Sequence, residues 1–375
     1  MCHRDIETTT QRIALASLRF FKRTSMPENE FIHFLSVLSL ANDQLRAEAQ
    51  ACLEDLDAKN SETLLSTAST HHVIVRAFEQ HDSSAMMGRF SALAAAERAR
   101  ALRAIDRLHE ICRVLEESDC RVCVIKSLDH WPDFGTDLDL LTCSPEETVV
   151  GIMTERFGAS IEKPTWSDRV ARKLNFRMPG LSEFVEIHFG RLGQAGENAE
   201  LADRILERRV EREVADKSFW VPAPEDRILL ATLQRLYRHY YVRICDIANT
   251  KALIESGSVD FDELRRAAKR AGIWPGVSTY LRLVSGYVHH YGGRHLELPR
   301  RVWLASSFGI EKVYANAGFL RLPLFPQGAQ LYVRQLIRAM RRRDTTGAIR
   351  LGLVPPLAIA ANIRFKVSGD EHGIW

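Results

Sequence analysis

Nothing in the sequence reaches about 18 consecutive apolar residues, so no stretch reads as a membrane-spanning helix. The opening Met1-Cys-His-Arg-Asp lacks the apolar core of a secretory signal. The segment Leu351–Ala361 is apolar but short and carries Pro355-Pro356, so it reads as a buried or docking segment rather than an anchor. Charge of one sign is missing too: 51 Lys and Arg face 48 Asp and Glu, a net +3, so only local patches bear on a polyanionic partner. A disulfide framework is absent, because the 7 cysteines are odd in number and scattered. Such usage suits a reducing compartment and leads to the expectation of a cytoplasmic protein. Cys120-Arg-Val-Cys123 has no second pair and no nearby histidine set, and reads as partly buried thiols. There is no internal repeat, no low-complexity linker, no Walker lysine loop, no Gly-x-Ser-x-Gly elbow and no dinucleotide glycine fingerprint.

What is present is ordinary globular material: 375 residues, 46% hydrophobic and 26% charged, enough for about two to three domains. Residues 1–104 read as a helical region. Ile13, Leu15, Leu18 and Phe21 recur at helical spacing, as do Phe31, Phe34, Leu35 and Leu38. Asn60-Ser61-Glu62 looks like a helix start, and an Ala-, Leu- and Arg-rich stretch from about Ser84 to Glu117 favours long helix. His71-His72 is a poor metal pair, since neighbours on a helix point apart. Residues 105–222 mix strands and helix, a small α/β or α+β domain. Arg121–Lys126 is β-branched, Ser127–Gly135 is a loop, Thr136–Thr142 a strand, and Ser144-Pro145-Glu146-Glu147 starts a helix that stops at Gly158. A short strand near Ser160–Glu162 is followed by a hairpin of Lys173–Met178 and Glu183–Phe189 turned at Pro179-Gly180. Residues 223–375 return to a helical pattern, broken by prolines and glycines to about 345. The expected fold is α+β: a small mixed sheet flanked by N- and C-terminal helical regions.

Phe134-Gly-Thr-Asp137-Leu-Asp139-Leu-Leu141 holds two acids one residue apart between leucines. On a strand, residues i and i+2 share a face, so Asp137 and Asp139 lie on one side and Leu138 and Leu140 on the other. Two such carboxylates repel, and a divalent cation with oxygen ligands relieves them. Val124-Ile-Lys126-Ser127 runs from a strand into a loop ten residues earlier. Phe184-Val-Glu186-Ile187 is another apolar strand with a single acid. Three acids on two neighbouring strands suit two metal ions ~4 Å apart, the clamp for in-line displacement at phosphorus. Lys126 and Ser127 are placed to contact nucleotide phosphates.

These residues resemble the nucleotidyltransferase superfamily of the DNA polymerase β type, and within it a bacterial nucleotidyltransferase-like group. That group's strand-end lysine, Asp-x-Asp strand and acid two before a histidine read here as Lys126-Ser127, Asp137-Leu-Asp139 and Glu186-Ile-His188. Pro224-Glu-Asp226, Arg238-His-Tyr-Tyr241 and Arg243-Ile-Cys-Asp246 extend the resemblance, which covers roughly 105–275. Ser127 stands where glycine is common, Phe134-Gly-Thr136 where an arginine is often found, and the third acid is a glutamate. The resemblance implies an enzyme that moves a nucleoside monophosphate, AMP from ATP, to an acceptor hydroxyl or phosphate. Asp137, Asp139 and Glu186 would be catalytic and hold Mg2+ or Mn2+. Lys126, Ser127, His188 and Arg243 would meet the nucleotide, with His188 also a candidate to orient Glu186. The acceptor, whether small molecule, peptide, protein or RNA, is not specified. Two other readings stand beside this one. One is a catalytically weak nucleotide- or protein-binding module. The other is a toxin-like tRNA nucleotidyltransferase, for which a basic groove leading to Arg334, Arg338 and Arg341–Arg343 is expected.

Overall fold

Strand and helix periods in the sequence translate directly into the architecture of the computed structural model, which describes residues 28–53, 56–79, 85–306, 313–316, 318–322 and 328–368. The expected helix around Ile13–Phe21 lies outside the described residues. The chain enters through α1 (Glu28–Leu40), α2 (Asp43–Cys52), α3 (Ala58–Thr70), α4 (Ile74–Phe78) and α5 (Ala85–Glu117). α3 begins at Ala58, two residues before the expected start at Asn60. Asp57 caps it, accepting from Asn60 N at 2.7 Å, and a carboxylate at a helix N-terminus also meets the dipole. α5 is one continuous helix of 33 residues, as its proline-free composition implies.

The central sheet follows: β1 (Val122–Val124), a 3-10 turn (Ser127–His130), β2 (Asp137–Thr142), α6 (Glu146–Phe157), β3 (Ser160–Ile161), α7 (Trp166–Ala171), β4 (Lys173–Arg177) and β5 (Phe184–Phe189). The strand order is β1-β2-β5-β4-β3. β2 and β5 are parallel and the other pairs antiparallel, so the sheet is mixed. α6 is capped at Pro145 rather than Ser144, and Gly158 closes it at φ +60°, a conformation that costs glycine little. α8 (Ala199–Glu207) leads to a hairpin of β6 (Val210–Val214) and β7 (Lys217–Val221) that the sequence pattern did not announce. Its turn residues Ala215 and Asp216 both take positive φ, a geometry usually flagged by glycine or asparagine, so alanine conceals the signal.

The chain then runs through α9 (Pro224–Thr232), a π-helical segment (Leu233–His239), β8 (Tyr241–Val242), α10 (Ile244–Glu255), α11 (Phe261–Arg270), α12 (Trp274–Gly292), α13 (Arg300–Ala305), β9 (Tyr314–Asn316), β10 (Phe319–Arg321), α14 (Ala329–Arg341) and α15 (Thr345–Ser368). The expectation that this part is helical throughout to about 345 needs correction. β8, β10 and β9 form a small antiparallel sheet whose strands are too short to carry a period-2 pattern. Pro355 and Pro356 lie inside α15. Among the described residues, no helix is long and apolar enough to cross a membrane.

Two cores explain how these parts meet. One lies beneath the sheet, where Leu138, Leu140, Val185, Ile187 and Phe176 pack with Ile105, Leu108 and Leu115 of α5 and Val149 and Met153 of α6. Burying each large aliphatic side chain is worth about 1.5–3 kcal/mol, and a one-residue slip would expose that whole face, so the register is firmly set. The other core unites N- and C-terminal helices through residues such as Phe31, Leu35, Phe78, Leu229, Ile247, Val277 and Tyr280. Cys123, Ile125 and Leu141, on the sheet's opposite face, join this second core. That face is therefore covered at one end by helices, and the polar row of β2 and β5 lies at the edge of the cover.

Candidate active site

Strand register builds the floor of the site. Asp139 pairs with Glu186 across the parallel β2–β5 ladder, and Glu186 pairs with Asn175 on β4. Asp137 lies two residues before Asp139, and His188 two after Glu186, opposite Lys173. By the period-2 rule Asp137, Asp139, Glu186, His188 and Lys173 share one face. Asp139, Glu186 and His188 are buried, whereas Asp137 at the strand start is exposed.

The approach to this floor is a tight, unusual turn. Lys126 adopts φ +63° and ψ −55°, and Ser127 N donates to Ile125 O at 2.7 Å, which together define a γ-turn of the rare positive-φ kind. A lysine held there is strained, and such strain persists only where the surroundings over-determine it. Here Ile125 N donates to Asp139 O at 2.9 Å. Ser127 Oγ accepts from Asp139 N at 2.8 Å and lies 3.2 Å from Asp137 O. The hydroxyl of Ser127 is thus spent on fixing β2 to the turn. The same turn throws Lys126 Nζ onto the Asp139 carboxylate, with which it forms an ion pair.

Glu186 is enclosed on the other side. Lys173 Nζ forms an ion pair with it and lies 3.2 Å from Asp168 Oδ1. Asp168 is itself fixed at the start of α7, its Oδ2 accepting from Thr165 N at 2.9 Å and Thr165 Oγ1 at 2.6 Å. His188 Nε2 sits 2.9 Å from Glu186 Oε1 and 3.6 Å from Asp139 Oδ1, bridging the two acids. Burial alone would raise the Glu186 carboxyl, but the Lys173 ammonium, then His188 and Lys126, hold it well below the usual range. Asp137 moves the other way: crowding by protein, then the charges of Asp139 and Glu186, push it up to about 6. Because water still reaches Asp137, the like charges are the effective cause.

This donor set fits a divalent ion. One oxygen each from Asp139 and Glu186 and one ring nitrogen of His188 lie within 4.8 Å of one another. The carboxylate oxygens of Asp139 and Glu186 are of the hard kind that Mg2+ or Mn2+ favours, and Asp137 is the next carboxylate on the same strand face. Asp137 enters none of the ion pairs found among the described residues, so repulsion from its neighbours is left for a ligand to relieve.

The walls join residues named from the sequence, Lys126, His188 and Arg238, with Gln194, which the sequence pattern did not single out. Arg238, on the π-helical segment, lines the cleft with Lys126, His188 and Gln194, and also faces the side of Lys173. π-segments rotate side chains out of the α-helical register and recur at functional sites. Gln194 stands on a loop held by Glu197, whose buried carboxylate accepts from Ala195 N at 3.0 Å. Gly193 takes φ +100° there, and a Cβ would collide with Glu197. The expected nucleotide contact Arg243 is not brought to the acids. It caps α10 and lies near Tyr241 and Asp246, so Arg238 is the arginine of that segment that reaches the cleft. From the N-terminal region, Arg100 donates to Phe134 O at 3.1 Å and forms an ion pair with buried Glu183, steadying the chain before Asp137. A wider groove between α8, α11 and α14 holds several arginines interspersed with acids, and some of them pair with acids. Arg204 meets Asp226 and Glu263 at 2.7 Å each, and Arg342 meets Glu200 at 3.0 Å, so the groove is of mixed charge rather than a basic track.

Comparison with known families gives one match. A family described as uncharacterised nucleotidyltransferase matches residues 57–289. No curated protein matches the chain. The match covers more than half of the chain, which belongs to this nucleotidyltransferase family.

Proposed function

We propose, with membership of the nucleotidyltransferase family as the premise, that the protein transfers a nucleoside monophosphate, AMP from ATP, to an acceptor hydroxyl or phosphate with release of pyrophosphate. The observation that carries this reading is the pairing of Asp139 with Glu186 across parallel strands, next to a cleft lined by Lys126, His188 and Arg238, the first two of which meet those acids. Magnesium or manganese held by Asp137 and Asp139 would neutralise triphosphate charge. Phosphoryl transfer leaves a protein little covalent work, so the side chains act by positioning and charge. Lys126 is the first phosphate ligand: its ammonium is already at the carboxylate floor and exchanges Asp139 for a phosphate oxygen. Arg238 offers a forked donor from the opposite wall. Ser127 keeps Asp139 aimed. Glu186, held ionised, accepts a hydrogen bond from the acceptor hydroxyl and aligns it with the α-phosphorus. His188 fixes the orientation of Glu186.

The test uses each α-labelled triphosphate with Mg2+ and cell extract, read as label in the small-molecule, protein and RNA fractions. One fraction is expected to be labelled by the wild type and left dark by Asp137→Asn/Asp139→Asn. Identical labelling of every fraction by the two proteins would sink the proposal. One observation favours a second reading: Lys126 and Lys173 already neutralise Asp139 and Glu186, as suits a module that binds a nucleotide without turnover. That module would retain labelled triphosphate on a filter while labelling no acceptor.

A further inference from the structure

We propose that Lys173 stands in for one of the two metal ions expected of three such carboxylates, so that the site takes a single divalent ion on its Asp137–Asp139 side. The inference rests on the metal-dependent reading above. It begins from an asymmetry between the two lysines. Lys126 has one carboxylate partner, sits on a strained turn and lines the open cleft, so incoming phosphate can draw it away from Asp139. Lys173 has two partners. Its ammonium bridges Glu186 and Asp168, and its side chain is only 10% exposed. Asp168 cannot follow a departing lysine, because its second oxygen holds the backbone and hydroxyl of Thr165 at the start of α7. The stem of Lys173 is fixed as well, by the β4–β5 ladder that sets it opposite His188.

Charge counting agrees. Asp137, Asp139, Glu186 and Asp168 carry four negative charges, and Lys126, Lys173 and the facing Arg238 supply three positive ones. The shortfall of one leaves room for one divalent ion rather than two. A second ion would have to take Glu186 Oε1, beside His188, while the Lys173 ammonium holds Oε2, and two cations at one buried carboxylate repel strongly. Lys173 thus acts as a positioning residue: it keeps Glu186 ionised and aimed at the acceptor without ligating metal through it.

Manganese is the probe, added to the full-length protein with a non-hydrolysable α,β-methylene triphosphate, and bound ions are counted by electron paramagnetic resonance after free ion is removed. Wild type is expected to hold one ion per chain with no spin coupling. Lys173→Met, close in length and without charge, is expected to hold two, spin-coupled. Glu186→Gln should keep the single ion, because Glu186 does not ligate it, and Asp139→Asn should lose it. A coupled pair in the wild type, loss of the ion in Glu186→Gln, or one ion in a folded Lys173→Met overturns the proposal. No bound ion in any protein overturns the metal-dependent reading itself, and this inference with it. The wild-type and Glu186→Gln counts decide the matter even if Lys173→Met fails to fold.

Discussion

Two buried clusters in this protein look alike on paper and differ in kind. Asp139, Glu186 and His188 on the sheet, and His130, Cys245 and Asp246 beneath the helices, each bring three potential metal ligands within 4.8 Å. The second is closed in the sense that its carboxylate is fully engaged, although His130 and Asp246 line a small cavity. Asp246 is met by fully buried Arg235 through Nε at 2.7 Å and Nη2 at 3.0 Å, and by Arg243 N at 2.7 Å. Burial pushes His130 down to about 4 and the Cys245 thiol far up, and Arg76, Arg235 and Arg243 lie close to that thiol. With the thiol held protonated and the carboxylate already met by guanidinium and backbone, neutral His130 is the one group of the three left with a free ligand atom. The sheet cluster is open only at its exposed end, Asp137. Its cations are lysines, one of them on a strained turn, and Asp137 forms no ion pair among the described residues. The two clusters therefore divide by what holds their carboxylates: guanidinium and backbone between helices in one, lysines on the sheet in the other.

The largest effect should come from breaking the closed cluster. Asp246→Ala strands the Arg235 charge in a core where it has no exposure, and removing one member of a buried pair costs about 3–5 kcal/mol. Urea unfolding measures it, and a loss under ~1 kcal/mol would remove the distinction between the clusters. Burial opposes ionisation of Asp246, but Arg235, His130 and Arg243 hold its carboxyl below the ordinary value. A carboxyl depressed in the folded state contributes stability that is complete above its unfolded value, about 4, and fades as pH falls through the lower folded value. Asp246→Asn should accordingly flatten the acid limb of the stability curve.

In the open cluster the same kind of change should act on function instead. Asp139→Asn is expected to lower nucleotide transfer by about 10²–10³-fold, the scale of losing one preorganised charged group. Its stability should stay within about 1 kcal/mol of wild type, because the lost Lys126 pair is offset by relief of repulsion from Asp137 and Glu186. A large fall in the melting temperature with activity retained would reverse the assignment of the two clusters.

How far each cluster could be read from the chain follows the same division. The acids of β2 and β5 were legible, because an acid at every second position against buried leucine, valine and isoleucine leaves one orientation for the strand. The helices of α5 and α11 and the hairpin of β4 and β5 were legible by period and by Gly and Pro at their ends. Lys173 was not, since a charged residue at a strand start is ordinary, and only the fold brings Asp168 and Glu186 to it. Arg238 and Arg243 were both named from the sequence with Arg243 expected at the nucleotide, and which of the two reaches the cleft depends on the π-helical turn of the segment. The hairpin of β6 and β7 hid behind an alanine in its turn. The closed cluster was half visible: Asp246 reads as a partner for an arginine, but which arginine depends on that π-segment.

A smaller effect is expected where the N-terminal helix supports the open cluster. Glu183 is buried and paired with Arg100, which also donates to the carbonyl of Phe134. Glu183→Gln keeps the shape and removes the charge. Because Arg100 is 27% exposed and retains Glu97, the loss should be only about 1–2 kcal/mol. Nucleotide transfer should fall with it, since the freed chain leads straight into Asp137. Unchanged transfer in a destabilised protein would show that Arg100 supports the fold without steadying the site.

The smallest effect tests whether the C-terminal region belongs to the open cluster at all. Arg350 on α15 donates to Val170 O at 2.6 Å and to Ala195 O at 2.7 Å. Those carbonyls lie on two stretches that flank the cleft: the end of α7, just before Lys173, and the loop that carries Gln194. One guanidinium thereby ties both lips to a helix remote in sequence. Arg350→Ala should cost about 1 kcal/mol in stability, the scale of hydrogen bonds at a partly exposed site. If the tie sets the spacing of the lips, KM for the triphosphate should rise about 3–10-fold while kcat stays nearly constant, the signature of lost ground-state positioning rather than lost chemistry. Equal falls in kcat and kcat/KM would place Arg350 in the transition-state machinery. No change in either would confine the open cluster to the sheet, α7 and the π-segment, with α15 as cover alone.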